Sequence, residues 1–246
     1  MRVEVEVCIT GVDEALAASQ AGADRLELCC WAECGGITPS MGQAVEVARA
    51  VDLPLRILIR PGPAGFRYSG HELAIMRLDA QAFSALPRLG GLVVGALDEA
   101  DLPDRLFLEN LRAAHAGQEL TFHRAIDRSN DPLRALAFCR DAGMDRILTS
   151  GGRDRAMEGA STIARMVEGA EGLRIAAAGG IGPEEVVQLV DATGVQEVHF
   201  SARRPADDHA PEVALASGGQ GQGLWTLPDT AKIERVLEAL DRAGLR

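Results

Sequence analysis

Eight strand-like segments alternate with eight helical ones, and several of the strands carry charge or thiol on one face only. With a length of 246 residues, close to that of one α/β barrel, these observations predict a single (β/α)8 TIM barrel spanning 1–246. A doubly wound open sheet is the rival arrangement, and the even strand count favours closure.

The first strand, 3–9, reads Val3-Glu4-Val5-Glu6-Val7-Cys8, with valines on one face and Glu4, Glu6 and Cys8 on the other. A helix over 12–21, capped by Asp13 and ended by Gly22, leads to the second strand, 24–30, where Leu26-Glu27-Leu28-Cys29 repeats the alternation. Ser40 caps a helix over 39–50, and the third strand, 54–60, sets Arg56 and Arg60 on its polar face. Helical periods at 70–87, 103–116, 131–142, 156–169 and 183–192 separate strands at 91–95, 119–124, 145–150, 173–178 and 196–201. Pro132 and Pro183 suit first helical turns, Gly143 and Gly194 suit helix ends, and a last helix covers about 229–243. Ala21-Gly22-Ala23-Asp24-Arg25-Leu26 is echoed by Ala142-Gly143-Met144-Asp145-Arg146-Ile147, 121 residues later, as two half-barrels would require. A glycine-rich stretch at about 202–228 predicts a loop at the barrel mouth.

Thirty-six acidic against 25 basic residues give a net charge of −11, which argues against nucleic acid or an anionic membrane as partner. No apolar run reaches the roughly 18–20 residues of a membrane span, and no secretory signal is visible at the N-terminus. Five cysteines, an odd number, read as thiols of a reducing cytoplasm rather than a disulfide framework. Lys232 is the only lysine, and it falls in a helix read as peripheral, so neither Schiff-base chemistry nor lysine-held phosphate is expected.

In a parallel sheet wrapped by helices, the polar strand faces must line an enclosed space. At the C-terminal strand ends, where barrel sites lie, this places Cys8, Cys29, Arg60, Arg124, Ser150 and Ser201, with Glu6, Glu27, His123 and His199 one layer deeper. Glu6 and Glu27 are expected to pair with Arg60 and Arg124, while Glu4, Arg56 and Glu197 form salt bridges at the bottom. Asp127 could hold Arg124 or act as a base. His123, His199 and Glu27 are candidates for proton transfer, and Arg60 and Arg124 for clamping an anion. Gly151 and the Gly179-Gly180 turn could bring backbone amides to that anion. Cys8 and Cys29 lie about 5 Å apart on neighbouring strands, close enough to hold a soft ion such as Cu(I) linearly. Buried cysteines acting as small apolar groups are the alternative.

Glu6-Val7-Cys8, Gly22-Ala23-Asp24-Arg25-Leu26-Glu27-Leu28-Cys29, Gly35-Gly36-Ile37-Thr38-Pro39-Ser40, Ile59-Arg60-Pro61, Thr121-Phe122-His123-Arg124-Ala125-Ile126-Asp127, Ile147-Leu148-Thr149-Ser150-Gly151 and Glu197-Val198-His199-Phe200-Ser201-Ala202 together resemble the CutC copper-homeostasis family. The resemblance implies a cytoplasmic, homo-oligomeric TIM barrel (dimer or tetramer) tied to copper tolerance and Cu(I) binding, without a settled reaction. Glu6, Glu27, Arg60, His123, Arg124, Asp127 and His199 match the family's polar barrel set, and Cys8 and Cys29 its recurrent cysteines. Two rim segments depart from it. Gly62-Pro63-Ala64-Gly65-Phe66 stands where the family has Arg-Gly-Gly-Asp-Phe, and Pro211-Glu212 where it has Arg-Asn. The expected function is copper homeostasis through the mouth cysteines. The alternatives are an enzyme acting on a small phosphorylated or carboxylated metabolite, and a barrel whose role is assembly.

Overall fold

A computed structural model describes residues 2–205 and 226–246. Eight parallel strands close into a barrel in sequence order: β1 Glu4–Ile9, β2 Arg25–Leu28, β3 Leu55–Leu58, β4 Leu89–Val94, β5 Leu120–Phe122, β6 Arg146–Thr149, β7 Arg174–Ala178 and β8 Glu197–Ser201. β8 pairs back onto β1, with Glu6 opposite His199 and Cys8 opposite Ser201, so the doubly wound alternative is excluded. The helices are α1 Val12–Ala21, α2 Met41–Ala50, α3 Gly70–Phe83, α4 Arg105–Ala114, α5 Pro132–Asp141, α6 Ala160–Glu168, α7 Val186–Thr193 and α8 Thr230–Arg242. Two further strands, β9 Arg203–Pro205 and β10 Thr226–Pro228, pair antiparallel. They flank residues 206–225, so most of the expected mouth loop, with Pro211-Glu212, lies outside the described residues.

The outward strand faces make the core. Val3, Val5, Val7 and Ile9, Leu26 and Leu28, and Leu55, Ile57 and Ile59 are buried against the helix ring. Ser40 accepts from the Gln43 amide, as an N-cap should. Asp13 does not cap: α1 starts at Val12 with Gly11 as its N-cap, leaving Asp13 in the first turn, where an acid still suits the helix dipole. Pro183 precedes α7 by three residues, because 183–185 form a turn first. β5 stops at Phe122 because the chain turns into a 3-10 segment, Arg124–Arg128.

The barrel interior is ionic, and more of it is arginine than expected. Glu6, fully buried, accepts from Arg146 at 2.9 Å, from Arg56 at 2.5 Å and sits 2.7 Å from His199. Arg146 also meets Glu197 at 2.5 Å, Arg25 meets Glu4 and Glu197, and Glu119 bridges Arg56 and Arg174. The internal echo has a structural meaning. Asp24 accepts from the Val5 amide and Asp145 from the Leu120 amide, each at 2.8 Å, while the arginine after each aspartate enters the interior.

Removing one member of such a lattice strands its partners in a medium that solvates them poorly. Arg146→Met should therefore cost about 3–5 kcal/mol in urea unfolding. A loss below about 1 kcal/mol would show that Arg56, Arg25 and water compensate Glu6 and Glu197.

Candidate functional site

A cavity of about 390 Å³ opens at the C-terminal mouth. Its wall includes Cys8, Glu27, Cys29, Arg60, His123, Arg124, Gly179, Gly180, His199 and Ser201. Glu6 lies beneath it, and Asp127 and Gly151 line a separate polar depression beside α5 and the 151–153 turn.

The floor is built by β1, β2 and β8. Cys8 Sγ lies 3.6 Å from Cys29 Sγ. The Cys29 hydrogen bond, then burial, push the Cys8 thiol well above the ordinary thiol range, although its bond with His199 works the other way. Ligand atoms of Cys8, Glu27 and His199 all fall within 4.8 Å of one another. Gly36, at φ +84, makes this possible: a Cβ there would lie 2.8 Å from Leu58 and 3.1 Å from Cys29 Cβ, so only glycine lets the rim loop cross the thiol. Of the other cysteines, Cys34 donates to the Trp31 carbonyl, Cys139 is core, and Cys30 bridges by its backbone to Ile37.

The two histidines are opposites. Burial would keep His199 neutral, but Glu27, the Cys8 bond and the 2.7 Å contact with Glu6 raise it to about 10, so it is an imidazolium. Burial and then Arg60 drive His123 down to about 3, so it is neutral. His123 Nδ1 accepts from the Ala125 amide at 3.1 Å, which assigns the proton to Nε2. His123 thus presents a hydrogen-bond donor to the cavity. Gly95 makes room for its ring, since a Cβ there would come within 2.2 Å of it. Glu27 is held above the usual carboxylate range, mainly by burial.

The expected pairing of Glu6 and Glu27 with Arg60 and Arg124 does not form. Arg60 gives its terminal nitrogens to four carbonyls, those of Cys34, Gly36, Pro63 and Ala64, at 2.8–3.1 Å, and lies 5.0 Å from the Phe66 ring. It staples two rim loops and keeps only Nε for a ligand. Two of those carbonyls belong to the 62–65 segment, so the altered rim is used through its backbone. Arg124 bonds Asp127 at 3.0 Å and Ser150 at 2.8 Å. Asp127 also accepts from Thr149 and Ser150 hydroxyls and the Ser150 and Gly152 amides, which leaves it an anchor and not a base.

Lys232 was expected at the periphery, yet it lines the cavity. It is the third residue of α8, and the first helical turn overhangs the end of β8. Its ammonium donates to the Ser201 carbonyl at 2.8 Å and lies 5.5 Å from the Phe200 ring. Helical periodicity gives the face of α8 but not where the helix lies against the barrel mouth, so it could not have found this.

The charge states set a pH dependence. The folded value of His199, about 10, exceeds its ordinary 6.5, so its stabilisation is complete below about pH 6.5 and is lost as pH rises through 10. His199→Gln should flatten the alkaline fall in urea-unfolding stability across that window, and imidazole 15N shifts should show His199 doubly protonated at pH 8 with His123 singly protonated. A neutral His199 at pH 8 would contradict the assignment.

A profile of the CutC family matches residues 3–204. A protein named CutC from Xanthomonas campestris pv. campestris (strain 8004) is 38% identical over 244 residues, covering 97% of this chain and 99% of its own. The human copper homeostasis protein cutC homolog is 38% identical over 204 residues, covering 82% and 74%. The crystal structure of Streptococcus agalactiae CutC superposes with a TM-score of 0.76 at 28% identity, over 80% of this chain and 98% of that one. No described helix is long and apolar enough to cross a membrane. With the family profile running from β1 into β9 and relatives 38% identical over most of the chain, this chain is a member of the CutC copper-homeostasis family.

Proposed function

We propose that the protein binds a soft metal ion, Cu(I), through Cys8 and Cys29 at the floor of the mouth cavity, and serves copper homeostasis in the cytoplasm as a homo-oligomer. The observation that carries this is the pair of thiols 3.6 Å apart with Glu27 and His199 beside them. Sulfur donors select Cu(I) over harder ions. Two collinear metal–sulfur bonds of about 2.3 Å would need sulfurs about 4.6 Å apart. The observed spacing is shorter and suits a bent pair with a third donor, not the linear pair expected at the outset. Both thiols must lose protons to bind, and the raised Cys8 value makes affinity drop as pH is lowered. Competition with a Cu(I) chelator under anaerobic, reducing conditions should give one Cu(I) per chain, lost in Cys8→Ser/Cys29→Ser and weaker at pH 6 than at pH 8. Wild-type protein that releases all copper to the chelator would overturn the proposal.

A second function is favoured by a different observation. Glu27 Oε2, His123 Nε2 and Arg60 Nε are buried and without hydrogen-bond partners, and all three side chains line the same cavity. Native proteins rarely leave such groups unpaired, so a polar small molecule is their natural partner. Arg124 and the Gly179-Gly180 turn on the same wall suit an anionic one. In that role Glu27, with its raised carboxyl, transfers a proton while neutral His123 donates to an oxygen. Glu27→Gln should then abolish turnover of such a metabolite while leaving Cu(I) stoichiometry at one; equal turnover by wild type and Glu27→Gln would remove Glu27 from the chemistry.

A further inference from the structure

We infer that Lys232, with the Gly179-Gly180 turn and Arg124, forms an oxyanion subsite at the β7–β8 edge of the cavity that takes the phosphate of a small phosphate monoester. This rests on the second function above, the anionic small molecule, and adds the residue and the group that anchor it.

The placement of the lysine is the first support. The side chain crosses from α8 over the Phe200 ring and brings its ammonium to the cavity wall. An ammonium has three donors. Among the described residues, one of them goes to the Ser201 carbonyl, which leaves two for a ligand.

The surrounding charge is the second support. Gly179 brings the β7 turn against Arg124, whose Cζ lies 3.4 Å from the position of a Cβ on that glycine. Arg155 packs in the same way against Gly180 and carries the partner Glu185. Asp229, Glu184 and Glu185 favour the ammonium and Arg155 disfavours it, yet burial outweighs them and pulls the lysine below its ordinary value. An anion at this edge would supply the counter-charge that the wall does not.

The opposite wall completes the case. Glu27, Cys8 and Cys29 offer an anion no charged donor, His199 already serves Glu6 and Arg60 keeps a single free nitrogen, so the β7–β8 edge is the better place for a phosphate. The unpartnered Glu27 Oε2 and His123 Nε2 are then left to meet a hydroxyl or carbonyl further along the molecule. A side-chain amine, a guanidinium and a glycine turn lining one cavity suit a tetrahedral, doubly charged group better than a planar carboxylate.

The test is calorimetric titration of the full-length protein with glycerol 3-phosphate, glycerate, glycerol and inorganic phosphate. Glycerol 3-phosphate should bind saturably and glycerol should not. Lys232→Met, which keeps the stem over Phe200, should weaken binding about tenfold or more, with Lys232→Arg recovering part of it. A thermal melt of Lys232→Met matching wild type excludes misfolding as the cause. Phosphate binding that survives Lys232→Met but is lost in Arg124→Gln would overturn the lysine subsite and keep the anionic function. Binding of glycerate through Lys232 with none of either phosphate would overturn the phosphate assignment alone. No anion bound at all would overturn both.

Discussion

A fully buried carboxylate, Glu6, is the constraint on which the rest of the structure depends. A parallel barrel has no wet face inside it, so an ionised Glu6 is tolerable only if cations converge on it. Arg56, Arg146 and His199 do so from β3, β6 and β8, which are far apart in sequence and are brought together only by closure. Burial alone would raise the carboxyl; Arg146, the His199 bond and Arg56 reverse that and hold it well below the usual range. Its contribution to stability is therefore present above the ordinary carboxylate value and lost only as pH falls through the lower folded one. With Glu27 and Cys8, the same contact keeps His199 charged, and through His199 the interior is linked to Cys8 and Glu27 at the mouth.

This explains which parts of the molecule were legible in sequence. Period-two alternation assigns a side chain to a face without knowing its neighbours, and it placed Cys8, Glu27, Cys29, Arg56, Glu197 and His199 inside the barrel. It does not give register across strands or the path of loops. Arg60 lies two residues past the end of β3, and its partners are carbonyls from two loops, so the anion clamp expected of it is largely spent. Asp127 is consumed in the same way by the turn after β6. Arg25 and Arg146 were visible in the Ala-Gly-x-Asp-Arg echo but read as junction residues. In fact the aspartate fastens the neighbouring strand and the arginine supplies the interior charge, so the repeated unit carries both jobs.

Charge also relates the two functions argued for one cavity. Without metal, the raised Cys8 thiol adds no charge to the floor, and the His199 imidazolium stands beside Glu27. A monovalent ion bound by two thiols displaces two protons and leaves the floor one unit more negative than before. The neighbouring imidazolium offsets that unit, as its hydrogen bond to Cys8 already favours the thiolate. Lys232 and Arg124 stand on the β5, β8 and α8 side of the same opening, and no sulfur is among their partners. An anion at that edge would feel the added floor charge as a modest, salt-screened repulsion rather than as a steric block. A bound metal and a bound phosphate would therefore call on different atoms of one cavity, and the coupling between them would depend on whether His199 keeps its proton, which Glu27 and Glu6 favour.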